Sequence, residues 1–97
     1  MDYKELLTSS PVILVEFYAS WCPHCQAMMP VVDRVRAELD GRAAIAQIDI
    51  DKEETVSDAA GVKSVPTFIL YKDGMERWRH SGQIDAKALV DMVTEVL

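Results

Sequence analysis

Apolar positions set a clear rhythm along this chain. From Val12 to Ala19 both alternating sets of residues are apolar, interrupted only by Glu16, the mark of a β-strand covered on both faces within an α/β sheet. Before it, Tyr3–Thr8 predicts a short helix that Ser9-Ser10-Pro11 ends. After it, Ser20–Cys25 reads as a turn into a helix running to about Asp40-Gly41. Val31, Val32, Val35 and Leu39 mark its inner face, and Gly41 is its expected C-terminal cap. Ala43–Asp51 predicts a second strand with Ala44, Ala46, Ile48 and Ile50 on one side. Lys52–Gly61 predicts a short helix turning Val56, Ala59 and Ala60 inward. Thr67–Tyr71 and Met75–His80 form a strand pair around the turn Lys72-Asp73-Gly74. Ser81-Gly82-Gln83 then leads into a closing helix, about Asp85 to Leu97, with Leu89, Met92, Val93 and Val96 on its core face. A βαβ half followed by a ββα half gives an α/β fold: a mixed four-stranded sheet with helices on both faces.

At 97 residues the whole chain, 1–97, is expected to be a single domain, large enough to bury a core without disulfides or a metal. Its net charge of −6 repels phosphate backbones, which argues against nucleic acid as a partner. The longest apolar run is far too short to cross a bilayer. Met1-Asp2-Tyr3-Lys4-Glu5 has no basic leader followed by a hydrophobic stretch, so a cytoplasmic location is expected, with export the alternative if a leader has been removed.

The two cysteines change the picture most. Cys22 and Cys25 stand three residues apart, and a bridge between them closes too short a loop to be worth much as a staple. Trp21-Cys22-Pro23-His24-Cys25 falls where a buried strand hands over to a helix, which puts Cys22 beside unpaired backbone N–H groups and the positive end of the helix dipole. That setting favours the thiolate, the nucleophilic form, while Cys25 lies one turn further in as a resolving thiol. Pro23 suits the first helical turn, where its missing N–H costs nothing. An imidazole at His24 would favour the Cys22 thiolate further and make the disulfide more oxidising; the plainer reading has it facing solvent. Glu16, in the middle of the buried strand, is either a proton acceptor for Cys25 or a partner in a salt bridge. Pro66 precedes the third strand. Spacing alone favours a trans bond there, whereas a cis bond would free the Val65 backbone to pair with an extended substrate.

Taken together, these residues resemble the thioredoxin family over essentially the whole chain. The matching pieces are Val15-Glu16-Phe17-Tyr18-Ala19-Ser20-Trp21-Cys22-Pro23-His24-Cys25, Pro30, Ile48-Asp49-Ile50-Asp51, Val65-Pro66-Thr67, Lys72-Asp73-Gly74 and Ser81-Gly82. The resemblance implies a thioredoxin-like fold with Cys22 attacking, Cys25 resolving, Pro66 as the cis-proline packed against them, and Pro30 kinking the long helix. Trp21, Pro23, Val65, Pro66 and Gly82 would line the groove for a substrate polypeptide. It also implies a monomer with no cofactor, acting on protein disulfides and served by a redox partner such as a thioredoxin reductase.

Four departures from the family pattern bear on the direction of electron flow. Pro23-His24 replaces the usual Gly-Pro, as in bacterial disulfide oxidases. Glu16 stands where an aspartate is usual, Gln47 where a lysine often sits near that acid, and the family's first strand is missing or reduced. The body of the protein favours a reductant, and Pro-His favours an oxidase or isomerase. Two other classes compete. One is metal binding, for which a single chain supplies too few ligands to complete a site. The other is a binding module with little turnover, against which the intact cysteine pair argues. Trp78 and His80 are expected to be half-exposed packing residues, Met28, Met29 and Met92 to fill core gaps, and the acidic run Asp49-Asp51-Glu53-Glu54 to be a solvated strand end and helix start.

Overall fold

The computed structural model describes residues 1–97. In chain order the elements are α1 (Tyr3–Thr8), β1 (Val12–Tyr18), α2 (Pro23–Leu39), β2 (Ala44–Asp49), α3 (Glu54–Ala59), β3 (Thr67–Lys72), β4 (Met75–Ser81) and α4 (Ala86–Val96). The strands form one sheet in the order β2-β1-β3-β4. β1 runs parallel to β2 and antiparallel to β3, and β3 pairs antiparallel with β4. No strand precedes α1, so β2 is the edge on that side.

The two-sided apolar pattern of β1 is what makes the sheet a central layer. Val12 and Leu14 point to one face, where they meet Phe68 and Leu70 of β3, Met28, Val32, Val35 and Leu39 of α2, and Leu89 and Val93 of α4. Ile13, Val15 and Phe17 point to the other, against Leu7 of α1, Val56 of α3, and Ile48, Ile69 and Tyr71. A strand buried on both faces contributes twice to the core, which is why β1 and β3 lie in the middle. β4, at the far edge, is mostly exposed and carries Glu76, Arg77 and Arg79, charges that discourage pairing with another chain.

Local chemistry sets the element ends. Asp2 and Asp85 cap α1 and α4 by accepting from the N–H groups of Glu5 and Ala88. α2 ends at Asp40, whose left-handed φ of 48° makes it the C-cap residue, with Gly41 following at φ 80°; the cap thus falls one residue before the glycine expected to supply it. Asp73 and Gly74 both have positive φ, 52° and 81°, the tight two-residue turn a hairpin prefers.

Elsewhere the expected boundaries move. β2 stops at Asp49, not Asp51, because the Asp49 carboxylate accepts from the Asp51 N–H and its carbonyl from the Glu53 N–H, turning the chain. α3 is accordingly shorter than Lys52–Gly61 and buries Val56 and Ser57, leaving Ala59 exposed. Met28 fills the core as expected, but Met29, one residue (100°) further round α2, points to solvent and is 61% exposed. Pro30 lies on the exposed side of α2. Trp78 and His80 are half-buried, and their rings stack at 5.9 Å.

Candidate active site

Both cysteines sit at the junction of β1 and α2. Cys22 is the N-cap residue of α2, with extended backbone, and Pro23 opens the helix. The Cys22 N–H donates to the Ala19 carbonyl at 3.2 Å and the Gln26 N–H to the Cys22 carbonyl at 3.0 Å, while the Gln26 side chain holds the Ser20 carbonyl at 3.0 Å. Both thiols are free and lie under the surface, 4% and 3% exposed, packed with Ala19, Tyr18, Ile50 and Val65. The Cys22 Sγ points at the Val65 carbonyl, 3.7 Å away. The Val65–Pro66 bond is cis and Pro66 is buried. The Pro66 carbonyl accepts from the Gly82 N–H at 2.8 Å, at a glycine whose φ of 99° other residues rarely adopt. Thr67 ties down the same corner through the Ser64 carbonyl and the Ser81 hydroxyl.

The two thiols have opposite acidities. The backbone N–H of Cys25 lowers the pKa of Cys22, aided by the Cys25 thiol and the His24 N–H, and this outweighs desolvation. These are the unpaired donors of the first helical turn. Burial pushes Cys25 up to about 11, and a hydrogen bond and charge from Cys22, together with the charge of Glu16, add to it. The pair is therefore split into a nucleophile that lines the groove and a protonated thiol one turn further in.

The other residues singled out in the sequence fall around this pair. Trp21 is 63% exposed and donates its indole N–H to Asp51 at 2.8 Å. A groove of about 530 Å³ is lined by Trp21, Cys22 and Val65 together with Asp51, Asp58 and Lys63. Pro23 is exposed beside it, and Gly82 is half-buried behind Pro66. The His24 ring is engaged by Gln83, its Nδ1 accepting from Gln83 Nε2 at 2.7 Å, and the group of His24 that lowers the Cys22 pKa is its backbone N–H. Glu16 has no cationic partner, which removes the salt-bridge alternative. Its Oε1 accepts from Gln47 Nε2 at 2.9 Å across the β1–β2 register, and burial raises it above the ordinary glutamate range despite that bond. No group of three or more His, Cys, Asp or Glu side chains is placed to hold a metal ion, and no helix is long and apolar enough to cross a membrane.

Two contacts were not read from the sequence, Trp21–Asp51 and His24–Gln83, whereas the resemblance had already set Gln47 near Glu16 without giving their hydrogen bond. Only that bond had a usable signal, since two parallel strands in register bring their polar interruptions side by side.

The state of Glu16 has a consequence for stability. Between its unfolded and its raised folded value, the folded chain keeps a proton that the unfolded chain has lost. Its stability contribution is therefore complete below the unfolded value and is lost as pH rises through the folded one. Glu16→Gln removes this dependence. Urea midpoints at pH 5 and pH 8 should fall more for the wild type than for the variant; equal falls would show that Glu16 titrates alike in both states.

A family model described as thioredoxin matches residues 1–95. A thioredoxin of Rickettsia felis is 30% identical over 92 residues, covering 95% of this chain and 88% of that protein. A protein disulfide-isomerase like protein of Arabidopsis thaliana is 39% identical over 86 residues, or 89% of this chain but 19% of that longer protein. Among solved structures, a mutant thioredoxin from Halobacterium salinarum superposes with a TM-score of 0.89 at 35% identity, covering 98% of this chain and 82% of that one.

Proposed function

The chain belongs to the thioredoxin family, a family of thiol–disulfide oxidoreductases, and on that premise we propose that it works as a reductant of protein disulfides. The Cys22 thiolate attacks one sulfur of a substrate disulfide. That S–S bond breaks, the other sulfur leaves as a thiolate and takes a proton, and a mixed disulfide joins Cys22 to the substrate. Cys25 then gives up its proton and attacks the Cys22 sulfur. The second substrate thiol departs, and the chain is left with a Cys22–Cys25 disulfide. Two electrons have passed to the substrate, and a dithiol donor such as a thioredoxin reductase returns them.

One observation supports this division of labour above the others: at the start of a single helix the pKa of Cys22 is lowered and that of Cys25 raised. Trp21, Pro23, Val65, Pro66 and Gly82 are the surface for an extended substrate segment, which the Val65 backbone can pair as an added strand. Glu16 is the proton acceptor for Cys25, in the cavity they share. The His24 ring is engaged by its bond to Gln83 and only its backbone N–H acts on Cys22, which supports a reductant over an oxidase. A reducing compartment such as the cytoplasm suits that role. The Pro23-His24 dipeptide and the isomerase-like relative favour the second reading, a disulfide oxidase or isomerase.

The test is release of thiols from a disulfide-bonded protein with a small dithiol as electron source. The wild type should turn over and Cys22→Ser should not. A wild type no faster than the dithiol alone would overturn the reading.

A further inference from the structure

Gln83 lies in the turn between β4 and α4, and it holds one histidine of the chain through its side chain and the other through its backbone. Its Nε2 donates to His24 Nδ1 at 2.7 Å. Its carbonyl accepts from His80 Nε2 at 3.2 Å, and the His80 ring is stacked on Trp78. The backbone of Gln83 is thus tied to β4, whereas its amide belongs to an exposed residue and is held by His24 alone.

The atom that Gln83 occupies bears directly on Cys22. Nδ1 is the ring nitrogen nearer the backbone, so it has the shorter reach to a sulfur two residues back in the chain. Its lone pair already accepts from the amide, so Nδ1 carries no proton, and the neutral ring keeps its proton on Nε2. An imidazolium, protonated on both nitrogens, would have to release the amide or turn it over. The ring makes no hydrogen bond to Cys22, whose Sγ points at the Val65 carbonyl, and His24 acts on that sulfur through its backbone N–H.

Gln83 also stands next to the surface assigned to the substrate. The N–H of Gly82, the residue before it, donates to the Pro66 carbonyl at 2.8 Å, and the Val65 carbonyl on the other side of Pro66 lies 3.7 Å from Cys22 Sγ. An exposed hydrogen bond nets little, because water or another polar group replaces it at small cost. The bond between Gln83 and His24 is therefore one that a docking chain can exchange.

We propose that Gln83 is a positioning residue that keeps the His24 imidazole engaged while the substrate surface is empty, and that a protein segment docking over Pro66 and Gly82 takes up its amide and releases the ring to Cys22. This rests on the thiol–disulfide reading above and on its substrate surface. In the released ring the proton moves from Nε2 to Nδ1 through solvent, with no net gain or loss. Nδ1–H then adds a hydrogen bond to the Cys22 thiolate as it meets the disulfide, and the exchange itself is unaltered. The histidine between the cysteines is thereby reserved for substrates that bring a backbone with their disulfide.

The experiment compares wild type, Gln83→Ala, His24→Ala and the double variant. It reads alkylation of Cys22 in the free dithiol at pH 6, and single-turnover reduction of two substrates. One is hydroxyethyl disulfide, which has no backbone to pair with Val65 or cover Gly82; the other is a disulfide-bonded protein. Gln83→Ala should speed alkylation and reduction of the small disulfide about threefold. It should leave reduction of the protein within about 1.5-fold of wild type, and should change nothing when His24 is already alanine. Equal alkylation of wild type and Gln83→Ala overturns the proposal, as does a gain that persists without His24, which would mark a general disturbance of the site. A gain as large on the protein as on the small disulfide also overturns it, since docking would then leave Gln83 in place. Failure of the wild type to reduce either disulfide would instead count against the thiol–disulfide reading, while alkylation would still report the hold of Gln83 on His24.

Discussion

Replacing Cys22 with serine should lower turnover of a protein disulfide by more than about a thousandfold while leaving the fold intact. The loss follows from what the site does to this one sulfur. The first-turn N–H groups of Cys25 and His24 stabilise negative charge on Cys22, and a serine hydroxyl, far less acidic than a thiol, gains nothing usable from them at neutral pH. Cys25 cannot substitute. Its pKa is pushed up to about 11, and it lines a different cavity from the groove beside Cys22. Thiol release and the circular dichroism spectrum, measured together, check the prediction. Residual turnover within tenfold of the wild type would mean that Cys25 can attack substrate directly.

Phe68→Ala should cost about 3–5 kcal/mol of folding stability and lower the melting temperature by more than about 10 °C. Phe68 is fully buried near the start of β3, in one cluster with residues of α2, α4 and β1, so truncation leaves a cavity that no neighbour can fill without breaking the sheet. Met75→Ala, on the exposed edge strand, should stay within about 0.5 kcal/mol of the wild type. Urea melts of the three proteins decide it; a Phe68 variant as stable as the Met75 variant would mean that the core is not packed as described.

The element order and the central place of β1 were legible because burial on both faces leaves its mark directly in the residues from Val12 to Phe17. The hairpin turn was legible because Asp73-Gly74 is a local signal. The end of β2 was not, since it depends on one side chain, Asp49, folding back onto the Asp51 N–H. Ala59 and Met29 were misplaced because an apolar residue at the margin of a helix face says little about which way it turns.

The candidate site divides along the same line. Cys22, Pro23 and Cys25 declare themselves by spacing within a single turn. What tunes them comes from distant segments: Gln83 for His24, Asp51 for Trp21, Gln47 for Glu16. His24 is the sharpest case. Its position between the cysteines suggested an imidazole acting on Cys22, yet the ring is claimed by a residue beyond β4 that only the folded chain brings near.

The most direct test of the account is the equilibrium reduction potential of the Cys22–Cys25 pair in a glutathione buffer. A reductant whose His24 ring is engaged by Gln83 should lie at about −270 mV, the value characteristic of thioredoxin. A value near about −120 mV, that of a strong disulfide oxidase, would contradict it and return the weight of the site to Pro23-His24.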